Sequence, residues 1–176
     1  MSIKCYECGK SMKEKKINYH YTESGLDNVY LEGVTEFSCS GCDNSYVDIP
    51  EPINLHIMLS IALSLQDGML TGPAIRFLRK EVGMSGKAFA EFIKVSPVTL
   101  SRWENDPADA NKSESNDRLI RLAFQAMMCE RLKMMLSWVE DQIQRNEVVT
   151  FRNKRVNIHT EAMKHLTMPS TECRCM

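Results

Sequence analysis

The spacing of apolar residues changes twice along this chain. In the first fifty residues they alternate. Ile17-Asn18-Tyr19-His20-Tyr21 steps by two, and Val29-Tyr30-Leu31-Glu32-Gly33-Val34 is β-branched and aromatic. Both runs predict short antiparallel strands joined through Ser24-Gly25. Ile49-Pro50-Glu51-Pro52 follows, and two prolines in three residues predict a stiff, extended connector. From Ile53 to Leu65 one helical face would carry Ile53, Ile57 and Ile61, and the adjacent one Leu55, Leu59 and Leu63. These positions also fit a period of two. Length and the Leu, Met and Ala content favour a helix, ended by Gly68.

Beyond Leu70 the period is helical. Thr71 is placed to cap a helix with Pro73 in its first turn and with Ile75, Leu78 and Val82 on one face, terminated by Gly83. Ser85 caps a second helix, expected to bury Phe89, Phe92 and Ile93. Ser96 caps a third, with Pro97 at its first position and Leu100 and Trp103 inward. Asn105 to Ser115 is polar and reads as a loop. Leu119 to Ile143 reads as one long amphipathic helix, striped by Ile120, Phe124, Met128, Leu132, Leu136, Val139 and Ile143. Val148-Val149-Thr150-Phe151 suggests a short strand before a polar tail. The expected fold is α+β. A β-rich unit (1–50) leads through a connector helix (51–69) to an all-α domain with a long C-terminal helix (70–146) and a tail (147–176). No internal repeat is visible.

Composition narrows the function. The 176 residues are 43% apolar, enough for a buried core. The net charge is -1, so any attraction to nucleic acid must be local. Between Gly72 and Asn105, Arg76, Arg79, Lys80, Lys87, Lys94 and Arg102 outnumber Glu81, Glu91 and Glu104, giving +3. The first fifty residues hold eight acidic against five basic side chains, giving -3. No run approaches the length of a membrane span, and MSIKCYECGK has no apolar signal core. A cytoplasmic location with reduced cysteines is expected.

Cys5-x-x-Cys8 and Cys39-x-x-Cys42 form two matched knuckles. Four thiolates at one point are what a structural, tetrahedral Zn²⁺ requires. A disulfide framework is the rival reading, weaker without a secretion signal. Zinc with four thiolates would add about two more negative charges to an acidic unit. A unit this small has little core of its own, so the metal would supply much of its folding free energy. A closed four-sulfur shell is not catalytic. No nucleophile–base pair, carboxylate pair or phosphate loop is recognisable, and no enzyme is expected. His20 reads as a strand or surface residue; His56, His159 and His165 lack partner spacing. Met127, Met128, Met134 and Met135 suit core or dimer packing. Cys129 lies in an apolar stretch, and Cys173 and Cys175 in the tail.

Gly86 to Asn105 fits a DNA-reading helix-turn-helix. Ala90 is small where the helices cross, Val95 closes the turn, and Leu100 and Trp103 anchor the second helix. Its outer side is then Pro97, Val98, Ser101 and Arg102, with Thr99 at the flank, facing the major groove. The Arg102 fork matches guanine O6 and N7, while Val98 or Thr99 can touch a thymine methyl. Ser85, Lys87 and Ser96 sit at helix N-termini, where phosphates bind. Lys94 stands where the turn commonly has glycine, which predicts a left-handed residue at some cost. Gly86 stands where a glutamine is common. An ordinary helical hairpin with a solvated basic face is the alternative.

With these residues in order, the chain resembles the MqsA family of antitoxins, the YgiT-type zinc-finger proteins with an Xre-like helix-turn-helix. The likeness rests on the two knuckles, the Val29–Val34 strand and Leu100-Ser101-Arg102-Trp103-Glu104. It implies a bacterial protein with structural zinc that dimerises through its C-terminal domain and represses promoters, often its own. It also implies an N-terminal unit that binds a toxin, typically an RNA-cleaving one. Arg102 matches the family's arginine, whereas Val98 falls where the family has a polar base reader, which implies a different operator. The expected function is a dimeric repressor on operator DNA, with its dimer contact along the Ile120–Ile143 stripe. A toxin-neutralising interaction module is the alternative.

Overall fold

The alternating pattern becomes three strands: β1 (Met12–His20), β2 (Val29–Cys39) and β3 (Ser45–Asp48). The computed structural model describes residues 3–105, 112–128, 149–152 and 155–159. β1 and β2 pair antiparallel across a turn in which the Gly25 N–H donates to Thr22 O at 2.8 Å. The ladder carries a bulge. Ile17 faces Val34 and Asn18 faces Glu32, so Gly33 is left over. The extra residue resets the alternation and keeps Val29, Leu31 and Val34 on one buried face.

The far edge of β2 is shared. β3 takes Thr35–Ser38 near the second knuckle. A fifth strand, β5 (Arg155–His159), runs parallel to Val29–Glu32, and β4 (Val149–Arg152) closes antiparallel outside it. The pattern predicts one short strand here and then a tail. The structure has two, and the second returns to the first sheet and buries Ile158 beside β2.

Among the described residues five helices follow β3: α1 (Pro52–Leu65), α2 (Gly72–Glu81), α3 (Gly86–Phe92), α4 (Pro97–Asn105) and α5 (Glu114–Met127). The predicted extended connector is bent instead. Glu51 is left-handed, at φ 45° and ψ 60°, and the chain turns at once into α1. Pro52 opens that helix, where its missing N–H is not needed. α1 is buried almost all round, which marks a central helix rather than a surface one. Its buried Ser60 and Ser64 donate to Ile57 O and Ile61 O, at 2.7 and 2.8 Å, and so add no unpaired hydroxyl. One apolar cluster joins Leu31 and Ile158 of the sheet to Leu59, Ile75, Phe89, Trp103 and Phe124 of the helices.

A buried polar knot ties α1 to α5. Asp117 accepts from the Leu70 N–H at 2.6 Å and from Arg121 Nε at 2.7 Å, with Lys112 Nζ 3.4 Å away. Arg121 then donates to the carbonyls of Leu63, Ser64, Gln66 and Gly68 at 2.7–3.0 Å. A cation over the carbonyls that end α1 satisfies them and meets the negative end of the helix dipole.

Two helical expectations are corrected. Phe92 is 48% exposed, not buried. At 100° per residue it points about 100° from the centre of the face that Phe89, Ala90 and Ile93 bury. The long helix over 119–143 is not continuous: α5 starts at Glu114, capped by Ser113, and ends at Met127, with Met128 extended at ψ 141°. Ile120 and Phe124 lie fully buried in the chain's own core, so they are not available as a dimer contact. Leu132, Leu136, Val139, Ile143, Cys129, Met134, Met135, His165, Cys173 and Cys175 fall outside the described residues. Among the described residues no helix is long and apolar enough to cross a membrane.

Candidate metal centre and nucleic-acid interface

The knuckles fold by backbone bonds. The Cys5 N–H donates to Lys10 O at 2.8 Å and the Gly9 N–H to Cys5 O at 2.9 Å; in the second knuckle the Cys39 N–H donates to Asn44 O at 3.0 Å. β1 and β2 carry the knuckles to the same end of the hairpin, since Met12 pairs with Cys39. The four Sγ atoms lie within 4.8 Å of one another. Three contacts are 3.7 Å (Cys5–Cys42), 3.3 Å (Cys8–Cys39) and 3.6 Å (Cys42–Cys8). A tetrahedron of sulfurs around a metal at about 2.3 Å has edges of about 3.8 Å, so the cage fits a four-thiolate metal site.

The thiols are not equivalent. A hydrogen bond from Asn44, with backbone help from Cys8, lowers Cys5 to about 6. Asn44's backbone N–H also favours the Cys42 thiolate, but the neighbouring Cys39 and burial outweigh it and push Cys42 up to about 12. Four sulfurs this close cannot all be anions without a cation among them. Asn44 went unnoticed in the sequence. Its Nδ2 donates to Cys5 Sγ at 3.6 Å, and Tyr6 holds its Oδ1 at 3.4 Å. Its only signal was its place two residues after Cys42. His20 stays out of the cage: it stacks on Tyr30 at 4.6 Å and bonds Asp27 O at 3.0 Å.

The helix-turn-helix is built by caps. Thr71, Ser85 and Ser96 accept from the N–H of Ala74, Ala88 and Thr99 at 3.3, 3.2 and 3.0 Å. α3 ends in a paired motif: Val95 N–H to Ala90 O at 2.9 Å and Lys94 N–H to Glu91 O at 3.2 Å. Lys94 is therefore left-handed, at φ 58°. Gly83 ends α2 with the same pair of bonds, to Lys80 O and, through Met84, to Arg79 O. Ala90, Leu100 and Trp103 are buried and Val95 is half-buried. Pro97, Val98, Ser101 and Arg102 are exposed, Val98 at 62%, and Thr99 is half-buried with its hydroxyl on Ser96. Ser85 and Lys87 are exposed at the start of α3.

Two of the six local basic residues, Arg76 and Arg79, are spent inside the fold. Glu104 on α4 accepts from Arg79 Nε and Nη2, at 2.6 and 3.0 Å, and has Arg76 Nε at 3.6 Å. The hydrogen bond to Glu104 also raises Arg79 above its ordinary value. Lys80, Lys87, Lys94 and Arg102 remain exposed. Gly72 is needed for this packing, because a Cβ there would sit 2.7 Å from Trp103 O and 2.8 Å from Glu104 O. α2 thus braces the end of α4 directly.

His56 also acquires partners that its sequence position concealed. Tyr21 OH lies 2.8 Å from its Nε2 and Glu81 Oε1 lies 2.9 Å from its Nδ1. A carboxylate only accepts, so Nδ1 carries a proton and donates to Glu81. Burial, with the charges of Glu23 and Glu81, pushes Tyr21 up and keeps it a donor. The relay links the turn after β1 to α1 and α2.

Residues 75–115 match the helix-turn-helix family HTH_3. The match covers α3, α4, most of α2 and the first residues of α5, so the chain carries a DNA-binding helix-turn-helix domain. A comparison with curated proteins finds no match.

Proposed function

We propose that this chain is a sequence-specific transcriptional repressor. One observation carries the reading: the helix-turn-helix domain turns an exposed face of α4 outward, with Arg102 beside Val98 and Ser101. Arg102 reads a guanine edge in the major groove and Val98 a thymine methyl. Pro97 and Thr99 border that contact, while Ser85, Lys87 and Ser96 lie along the phosphates. Two copies would address a two-fold operator, with half-sites about one helical turn apart. The resemblance to MqsA-type proteins adds autoregulation in a bacterial cytoplasm.

Cys5, Cys8, Cys39 and Cys42 would hold a structural Zn²⁺, whose role is to tie the two knuckles together. A second reading, toxin neutralisation by this unit, is favoured by apolar side chains exposed around the cage: Ile3, Tyr46 and Tyr6, the last at 77%.

A mobility-shift assay of the zinc-loaded protein on DNA upstream of its own gene tests the main reading. The expected result is binding that prefers this DNA over scrambled DNA and weakens steeply with salt. Equal affinity for both would sink it. Metal analysis finding no zinc in the purified protein would remove the metal assignment.

A further inference from the structure

A cavity of about 550 Å³ lies where the β1–β2 turn, the end of α1 and the start of α2 meet. Small-molecule sites occupy about 300–1,000 Å³. Leu26 from the turn and Leu63 from α1 form an apolar floor, although both are almost wholly removed from solvent. Met69 stands at the rim, 42% exposed, with a thioether that adapts to irregular shapes. Asn28 and Thr71 add polar atoms. Asp67 supplies the one charge among the described lining residues; the nearby Arg121, which donates to the Leu63, Gln66 and Gly68 carbonyls, is neutralised by Asp117. Apolar floor and anionic rim together suit an organic cation with a hydrocarbon body.

The cavity touches the part of the fold that positions α4. Thr71 caps α2 through the Ala74 N–H, and Ala74 also lines the cavity. Between them, Gly72 packs on the last carbonyls of α4. A ligand against Thr71 and Ala74 therefore presses on the turn that braces the reading helix.

We propose that this cavity binds a small organic amine with an apolar body, and that α4 senses its occupancy through the first turn of α2. The ammonium lies at Asp67 and the hydrocarbon on Leu26, Leu63 and Met69. The binding half stands alone; the coupling half rests on the DNA-binding reading. Coupling is only as large as the ligand's preference for one arrangement of α2 against α4.

The full chain, labelled at its methionine methyls, is titrated with phenethylamine and with its neutral counterpart, 2-phenylethanol. The Met69 signal, identified with Met69→Leu, should move and saturate with the amine. The alcohol should need at least about tenfold more ligand. Asp67→Asn, at an exposed position, should erase that gap. An unmoved Met69 signal, or equal affinity for amine and alcohol in the unaltered chain, overturns the site. In the shift assay, saturating amine should change operator affinity, and an unchanged affinity overturns the coupling. If no DNA binds, the methyl titration still decides the cavity.

Discussion

The cysteine cage and the reading helix are held in place by opposite means. The cage is local: two x-x spacings, a few backbone bonds and one hairpin bring four sulfurs together, with Cys8 itself exposed and Tyr6 exposed beside them. α4 is placed by distant partners, Leu100 and Trp103 in the common core and Glu104 gripped by Arg79 from α2. A site fixed by chelation tolerates a thin core, whereas a surface that must match a groove needs a packed scaffold behind it.

The largest expected effect tests the cage. Chelation, or Cys39→Ser, should strip hydrogen-exchange protection from the knuckle amides and leave that of α2–α4 in place. Structural zinc contributes about 10 kcal/mol or more in isolated fingers. Simultaneous loss in both regions would show that the cage also supports the helices. Next, Glu104→Ala leaves the largely enclosed Arg79 guanidinium without its carboxylate, holding only the Met84 carbonyl, and urea denaturation should show a loss of about 3–5 kcal/mol. A loss under about 1 kcal/mol would mean that α4 is placed by apolar packing alone. Arg102→Ala should weaken operator binding by about 1–3 kcal/mol, while melting stays within about 0.5 kcal/mol of the parent. A large drop in stability would place Arg102 in the scaffold. Smallest is Lys94→Gly, which should raise stability by about 0.5–1 kcal/mol in thermal melts by relieving φ 58°. No gain would mean that the lysine side chain offsets the strain.

What the sequence revealed follows the same division. Knuckle spacing, the three caps and the left-handed Lys94 are short-range consequences of residue type, and each could be read from a few neighbours. Phe92 misled because apolar spacing alone does not say how far round α3 the core extends. Nothing in Met127-Met128-Cys129 breaks a helix by propensity, yet α5 stops at Met127. The Tyr21–His56–Glu81 relay was invisible because a turn and two separate helices supply one residue each. The parallel β2–β5 pair was beyond any window, since Glu32 and His159 meet across most of the chain.

That pairing also sets a timetable at the ribosome. Val29 emerges long before Val156, and at 5–20 residues per second the delay is roughly 6–25 s. During that interval the helix-turn-helix can form behind a β2 strand whose upper edge is still bare. A newborn chain is thus open to capture along Val29–Glu32 by any extended segment nearby, and β5, on arrival, ends that exposure.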